Sequence, residues 1–197
     1  MRYVAQGAAV VRKRDWRSMV RNSGRLLKER TGDGVKTWNR RIRLIGFLNE
    51  KSLREWLARS GVKGYPQDLL VMERFGYPDF LTASAAGLID GQYADRPHLR
   101  PIFEAVVQAA SRFGEVTIQA RKGYVSLVTP RRTFARVRPT TRSRVDLGLR
   151  LEAEKPGGRL KRSDFDETMK VQVELASRGE VDPEVLSWLR KAFEENS

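Results

Sequence analysis

The spacing of apolar residues changes near residue 90, and this change constrains the fold more than any other feature of the chain. In residues 1–90 apolar side chains recur every three or four positions, which is the period of an amphipathic helix. In residues 99–197 several segments alternate apolar and polar residues, as half-buried strands do. We therefore predict an α+β protein with an N-terminal helical bundle, a linker at residues 91–98, and a domain in which helices cover one face of an antiparallel sheet.

Four helices are expected before the linker, and each has a recognisable start or end. Asn49 is a suitable N-cap for the third helix, and Pro66 suits the first position of the fourth. Gly46, Gly61 and Gly76 each follow the last apolar residue of a helix, where glycine commonly ends one. The fourth helix is too apolar to serve as the recognition helix of a helix–turn–helix protein.

The second domain is expected to contain a helix, about five strands and a C-terminal helix. Pro101 to Phe113 has helical spacing, and Asp182 followed by Pro183 marks the start of the last helix. The expected strands are Val116–Arg121, Tyr124–Val128, Thr133–Arg138, Arg144–Leu151 and Met169–Leu175.

The strongest functional signal is a segment of thirty residues, Val116 to Val145, that contains eight basic residues and no carboxylate. Its apolar residues alternate, which indicates a folded sheet and not a disordered arm. Basic side chains displayed from a sheet without compensating acids form a positive surface, and polyanions are the usual partners of such a surface. The eight residues are Arg121, Lys122, Arg131, Arg132, Arg136, Arg138, Arg142 and Arg144.

Basic residues also recur on one face of the first helix, opposite Trp16, Val20 and Leu27. The whole chain has 38 Lys and Arg against 24 Asp and Glu, a formal charge of +14. An anionic partner would relieve the repulsion among so many like charges. The basic residues of this helix are Arg14, Arg17, Arg21, Arg25 and Lys28, and with the eight above they are the predicted nucleic-acid-binding residues.

Two aromatic residues, Tyr124 and Phe134, are the candidates for stacking on a base. Arg136 and Arg138 are expected to share a strand face with Phe134, and Arg142 and Arg144 follow across the turn. An aromatic ring among guanidiniums could stack on a base. Because an aromatic in a strand that faces a helix layer is usually buried, we expect Phe134 to belong to the core.

No catalytic or cofactor motif is found, and a non-enzymatic protein without metal or cofactor is expected. The chain has no cysteine and a single histidine, His98, which is too few ligands for zinc. Asp146 lies between Arg144 and Arg150, which predicts an ion pair rather than a nuclease metal ligand. The acidic group Asp164, Asp166 and Glu167 lacks the pattern of a calcium loop and is expected to be a solvated loop.

A cytoplasmic protein without a membrane span is expected. No apolar run approaches the roughly 18 residues that a spanning helix needs. The weak apolar stretch at the start precedes its basic residues, Arg12-Lys13-Arg14, whereas a signal peptide places its charges first.

Five motifs follow one another along the second half of the chain: Tyr124-Val125-Ser126-Leu127, Phe134-Ala135, Pro139-Thr140-Thr141, Arg144 to Leu149, and Glu180 to Arg190. With this order, the stretch from about Leu99 to Asn196 resembles the bacterial family of the domain of unknown function 5655. The resemblance implies a small helix-on-sheet fold related to the frataxin-like iron chaperones, and it implies no activity. The helical half resembles the domain of unknown function 4287 at Thr31-Gly32, Trp38 and Trp56-Leu57.

The basic surfaces predict a protein that binds RNA, DNA or a ribonucleoprotein through phosphate contacts. The alternative is an adaptor whose basic face docks an acidic protein, and a third hypothesis is an enzyme with an unrecognised small-molecule site. Salt dependence separates the first two hypotheses, because binding to nucleic acid weakens log-linearly as salt increases.

Overall fold

The computed structural model describes residues 10–13 and 16–197, without the side chains of residues 10–13 and 82. Contacts divide these residues into two units. Residues 16–82 form the helical unit, and residues 83–197 form the α+β unit together with strand β1, Val10–Lys13. The predicted fold class, a helical region followed by helices on an antiparallel sheet, is confirmed.

The helical unit contains α1 (Trp16–Thr31), α2 (Val35–Ile45), α3 (Glu50–Arg59), α4 (Tyr65–Phe75) and the short α5 (Asp79–Thr82). The predicted start of α3 is confirmed, since the Asn49 side chain accepts a hydrogen bond from the Ser52 N–H. Gly46 ends α2 in a left-handed conformation, with φ of 74°.

Helix α4 is the central helix of this unit, because α1, α2 and α3 all pack against it. Its residues Pro66, Leu69, Leu70 and Val71 are buried. Among the residues of α4 only Tyr65, Glu73 and Arg74 are exposed, which leaves little surface to insert into a DNA groove. This position explains why the α4 sequence is so apolar.

The α+β unit continues with α6 (Ala85–Tyr93), a 3₁₀ turn, α7 (Arg100–Ala110), six strands and α8 (Pro183–Asn196). The strands are β2 (Thr117–Ala120), β3 (Val125–Val128), β4 (Thr133–Pro139), β5 (Val145–Leu149), β6 (Leu160–Arg162) and β7 (Val171–Leu175). The sheet order is β1-β2-β3-β4-β5-β7-β6, with β1 parallel to β2 and every other pair antiparallel.

Two strands were not predicted. Strand β1 was expected to belong to the helical bundle, but it pairs with β2 at the edge of the sheet. Strand β6 has three residues, two of them exposed and basic, so it shows no alternation. Short edge strands are held by their backbone pairing with a neighbour, and sequence periodicity does not report that pairing.

The division between the units lies before the predicted linker at residues 91–98. Residues 91–93 are the end of α6, and Pro97–Leu99 form the 3₁₀ turn. Leu88, Ile89 and Tyr93 lie in the core of the α+β unit, where the Tyr93 and Phe103 rings are 5.6 Å apart. Glycine and proline in this stretch suggested a linker, but the apolar face of α6 anchors it to the sheet.

The two faces of the sheet differ in chemistry. Apolar residues of β3, β4, β5 and β7, such as Val137, Leu147 and Val173, form one core with α6, α7 and α8. The alternate residues place polar side chains on the opposite face. Cross-strand neighbours on this polar face are Arg136, Gly148 and Gln172 in one row and Arg138, Asp146 and Glu174 in the next.

Candidate nucleic-acid interface

The eight basic residues of the carboxylate-free segment do not form one surface. Arg121 and Lys122 lie in the β2–β3 connection, and Arg131 and Arg132 lie in the β3–β4 connection. Consecutive connections of an antiparallel sheet lie at opposite ends, so these two pairs are separated by the length of a strand. Arg142 lies in the β4–β5 connection. Arg136, Arg138 and Arg144 lie on the polar face of the sheet or at its edge.

The arginines of β4 are paired with carboxylates. Arg138 Nη2 lies 2.5 Å from Asp164 Oδ1 and 3.6 Å from Asp146 Oδ2. Arg136 is paired with Asp166. The expectation of a sheet surface without compensating acids was therefore wrong, because the fold brings acids from beyond residue 145 onto the same face.

A buried carboxylate lies at the centre of this charge network. The Asp146 side chain is 0% exposed. It accepts a hydrogen bond of 2.5 Å from the Thr140 hydroxyl, and Arg144 Nε lies 2.9 Å from Asp146 Oδ1. Arg144 also pairs with Glu174 at 3.1 Å. The predicted ion pair between Asp146 and Arg144 is confirmed, whereas Arg150 pairs with Glu152 instead.

Phe134 belongs to the core, as expected, and its position follows from an irregularity in the sheet. Val128 pairs with Thr133 and Leu127 pairs with Ala135, so Phe134 is an extra residue on β4. Both Phe134 and Ala135 are fully buried, and the Phe134 ring packs edge-on against Phe193 of α8 at 5.6 Å. Phe134 therefore does not share a face with Arg136 and Arg138, and the proposed aromatic among four guanidiniums was wrong.

These arginines contact Tyr124, the other stacking candidate, and Phe165. The Arg136 guanidinium lies 5.3 Å from the centre of the Tyr124 ring, and the Arg138 guanidinium lies 4.2 Å from that of Phe165. Phe165 was not among the predicted site residues. A signal for it was present in the sequence, because glycine within a strand, here Gly148, often marks the close approach of another group.

The basic residues in the strand connections have fewer charged partners. Arg121 donates to the Gln119 side chain at 2.8 Å, and Arg132 donates to the Glu195 carbonyl at 3.2 Å. Desolvation lowers the pKa of Arg132, and repulsion from Arg150 and Arg131 lowers it further. Arg131 and Arg142 are exposed and form no salt bridge within the described part of the chain.

The basic face of α1 is exposed along its described length. Arg17, Arg21, Arg25 and Lys28 are all exposed, while Leu27 is buried. Arg25 pairs with Glu29 at 2.7 Å, four residues along the same helix. The predicted Arg14 lies outside the described residues.

A second basic stripe, on α2, was not predicted as a site. It consists of Lys36, Arg40 and Arg43, which recur at intervals of four and three residues and therefore share one side of the helix. All three are exposed, and none forms a salt bridge with the residues that the structure describes. Trp38 and Ile42 of the same helix point into the core. We call these three residues the α2 stripe.

The charge is concentrated in the helical unit. Residues 15–82 contain fourteen Lys and Arg against eight Asp and Glu, whereas residues 1–14 and 83–197, the other unit, contain twenty-four against sixteen. The excess of positive charge is six over 68 residues in the helical unit and eight over 129 residues in the α+β unit, so its density is higher in the helical unit. The helical unit therefore offers the denser positive charge to a polyanion.

Exposed apolar residues lie beside the α2 stripe. Leu44 is 80% exposed, Leu48 is 92% exposed, and Ile45 is 51% exposed. They occupy the end of α2 and the turn before α3, next to Phe47, whose ring packs on Trp56 at 5.3 Å. We call Leu44, Ile45 and Leu48 the apolar tip.

Two kinds of site are absent from the described residues, a metal-binding cluster and a membrane-spanning helix. They contain no group of three or more His, Cys, Asp or Glu side chains that could hold a metal ion. None of the helices they form is long and apolar enough to cross a membrane.

The fold defines the class of protein: a helical unit joined to an antiparallel sheet that helices cover on one face. Residues 89–196 match the model of the domain of unknown function 5655 family, and the chain belongs to that family. The match begins ten residues before the predicted start at Leu99, inside α6. No curated protein and no solved structure matches the chain. The resemblance of the helical half to the domain of unknown function 4287 stays a prediction.

Proposed function

We propose that the protein binds nucleic acid through phosphate contacts from the helical unit, without catalysing a reaction, and that it does so in the cytoplasm. The α2 stripe carries this proposal, because its three cations are exposed, lie on one side of a helix and have no carboxylate partner in the described chain. The exposed basic face of α1 adds to the same unit. RNA and DNA are equally suitable, since phosphate contacts carry no sequence information.

The free energy of binding a phosphate differs between paired and unpaired cations. A cation that is already paired must lose its carboxylate before it can bind a phosphate, whereas an unpaired cation exchanges only water and counterions. The sheet arginines Arg136, Arg138 and Arg144 are of the first kind, and the α2 stripe is of the second kind. Binding should therefore depend mainly on the helical unit.

The experiment compares two triple variants with equal loss of charge. Lys36→Ala/Arg40→Ala/Arg43→Ala removes the α2 stripe. The control, Arg159→Ala/Lys161→Ala/Lys191→Ala, removes three cations that are each paired with a carboxylate. Affinity for duplex DNA and for single-stranded RNA is measured by fluorescence anisotropy over a range of salt concentrations.

Loss of the α2 stripe should weaken binding and reduce the slope of log K against log salt by about 2–3 for duplex DNA, because each lost phosphate contact lowers the slope by about 0.9. The control should change the slope by less than about one. Equal losses in the two variants would show that only net charge matters, and the α2 stripe would not be a binding surface.

The apolar tip favours a second candidate function, an adaptor that docks an acidic protein. Leu44 and Leu48 are much more exposed than large aliphatic residues usually are, and cations flank them. In this case Leu44→Ser/Leu48→Ser would abolish partner binding that survives nuclease treatment. The same variant would leave the affinity for nucleic acid unchanged.

A further inference from the structure

The connection between β6 and β7 lies on the polar face of the sheet. We call residues 163–170 of this connection the acidic loop. Its Phe165 ring lies directly on Gly148, since a Cβ atom placed on Gly148 would be only 2.7 Å from Phe165 Cδ2. Any residue other than glycine would displace the ring. Gly148 therefore forms a flat floor on which a planar group can lie.

Two arginines flank this floor. Arg136 is the cross-strand neighbour of Gly148, and Arg138 lies two residues further along β4, with its guanidinium 4.2 Å from the centre of the Phe165 ring. Asp164 pairs with Arg138, and Asp166 pairs with Arg136. The acidic loop thus presents a carboxylate, an aromatic ring and a second carboxylate. We call Arg136, Arg138 and Gly148 the sheet cradle.

The charges on this face balance only when the acidic loop is included. Around Gly148 and Asp146, the cations among the described side chains are Arg136, Arg138, Arg144 and Lys161, and they pair with Asp146, Glu174, Asp164 and Asp166. Without the two loop carboxylates, the face would carry two uncompensated positive charges. A ligand with two negative groups separated by a planar ring would restore the balance.

The contacts of residues 164–166, the middle of the loop, are partly exposed. The side chains of Asp164 and Asp166 are 59% and 41% exposed, so solvent screens their ion pairs with the more buried Arg138 and Arg136. Phe165 is only partly buried and does not belong to the hydrophobic core of the unit. One hydrogen bond of 3.0 Å, from the Asp164 N–H to the Gln172 side chain, ties the middle of the loop to β7. The ends of the loop are anchored by the buried Met169 and by backbone hydrogen bonds that the Ser163 N–H donates to the Lys170 carbonyl and the Lys170 N–H donates to the Leu149 carbonyl.

We propose that the sheet cradle is a site for one nucleotide of single-stranded nucleic acid, and that the acidic loop occupies it as an internal competitor. The base would lie on Gly148 in contact with the Arg138 guanidinium, in the place of Phe165. Its two flanking phosphates would pair with Arg136 and Arg138, in the places of Asp166 and Asp164. The base must be unstacked to lie flat there, which selects single strands over duplexes. This proposal rests on the proposed function and adds a second, occluded site to it.

The test removes the charges of the competitor while keeping its shape. Asp164→Asn/Asp166→Asn is compared with Glu184→Gln/Glu194→Gln, which removes two negative charges on α8, away from the sheet cradle. The probes are a short fluorescein-labelled oligothymidylate and a duplex of equal length. A third variant, Arg136→Gln/Arg138→Gln/Asp164→Asn/Asp166→Asn, removes both sides of each ion pair and so leaves no unpaired charge.

The loop variant should bind oligothymidylate about tenfold more tightly than the control variant, with a salt slope steeper by about 1.4 for two added phosphate contacts. Affinity for the duplex should equal that of the control, and the quadruple variant should lose the gain. Equal oligothymidylate affinity in the loop and control variants would overturn the sheet cradle while leaving the α2 stripe intact. A gain for a synthetic peptide of residues 161–169 without a gain for oligothymidylate would also overturn it. If the wild-type protein and all variants fail to bind either nucleic acid, the proposed function fails as well.

Discussion

Two sets of basic residues, one in each unit of this protein, differ in their partners. In the α+β unit, Arg136, Arg138 and Arg144 each lie within 4 Å of a carboxylate, and the buried Asp146 joins two of them. In the helical unit, the α2 stripe is exposed and has no such partner in the described chain. Three arginines of the segment that contains no acids in its sequence are thus better neutralised than the α2 stripe.

The difference comes from topology. Residues that are neighbours across a sheet can be far apart in sequence, so Asp164 and Glu174 reach arginines that precede them by about thirty residues. On a helix, by contrast, the nearest side chains are three or four residues away, and the spacing of Lys36, Arg40 and Arg43 leaves little room for acids between them. Charge counted along a window of sequence therefore describes the face of one helix better than the face of a sheet, although packed helices can also pair distant charges, as Arg54 and Asp68 do.

The largest expected effect separates core residues from binding residues. Phe134→Ala should lower the free energy of unfolding by about 3–5 kcal/mol, because the ring is fully buried against Phe193. Denaturant unfolding measures the loss. Affinity for nucleic acid, measured under conditions where the variant is folded, should not change. Weaker binding with unchanged stability would show that Phe134 is a binding residue and not a core residue.

The next effect tests whether the sheet arginines are structural. Asp146→Ala should destabilise the protein by about 2–3 kcal/mol, since it leaves Arg144 and Arg138 without a buried charged partner. Asp164→Ala removes an exposed partner of Arg138 and should cost less than about 1 kcal/mol. Similar losses in the two variants would mean that the network does not depend on the buried carboxylate.

The sequence predicted the elements with clear periodicity and clear ends. Helices α3 and α8 begin at their expected caps, Asn49 and Asp182, because capping is a local interaction of a side chain with the next turn. Strands β2 to β5 and β7 were expected from alternation. Strands β1 and β6 were missed because backbone pairing, not side-chain pattern, holds them.

The candidate site was harder to predict from the sequence than the helices and strands, because its contacts join residues that are distant in sequence. The exposure of Arg17, Arg21 and Lys28 follows from helical spacing alone. Pairing of Arg136 with Asp166 depends on where the acidic loop crosses the sheet, and no local pattern specifies that crossing. The displacement of Phe134 to the core side depends on one extra residue in β4, which only the register reveals.

A smaller effect concerns the N-cap of α8. Asp182→Ala should cost about 1 kcal/mol at neutral pH, because the carboxylate accepts the Val185 N–H at 3.0 Å. The Val185 N–H and Arg159 lower the pKa of Asp182 below its ordinary value of 3.8. Because the pKa of Asp182 is lower in the folded than in the unfolded protein, the ionised carboxylate stabilises the fold at any pH above the unfolded-state pKa. This stabilisation is lost as the pH falls through the folded-state pKa. The difference between wild type and variant should therefore shrink in acid, and a constant difference would contradict the ionic part of the cap.

The smallest effect compares stability with binding on α1. Arg25→Ala should change the free energy of unfolding by less than about 0.5 kcal/mol, since its pair with Glu29 is exposed. The slope of log K against log salt for duplex DNA should fall less in Arg25→Ala than in Arg40→Ala, which removes an unpaired cation. Equal slope changes for Arg25→Ala and Arg40→Ala would show that pairing does not decide which cations bind.

Lysine footprinting tests most directly whether the helical unit supplies the binding surface. The full-length protein is acetylated briefly with and without saturating duplex DNA, and modification at each lysine is measured by mass spectrometry. We expect DNA to protect Lys28 and Lys36 of the helical unit, while Lys161 and Lys191, which pair with Glu174 and Glu154, stay as reactive as in the free protein. Protection of Lys122 and Lys161 with Lys28 and Lys36 unprotected would place the interface on the sheet and contradict the account.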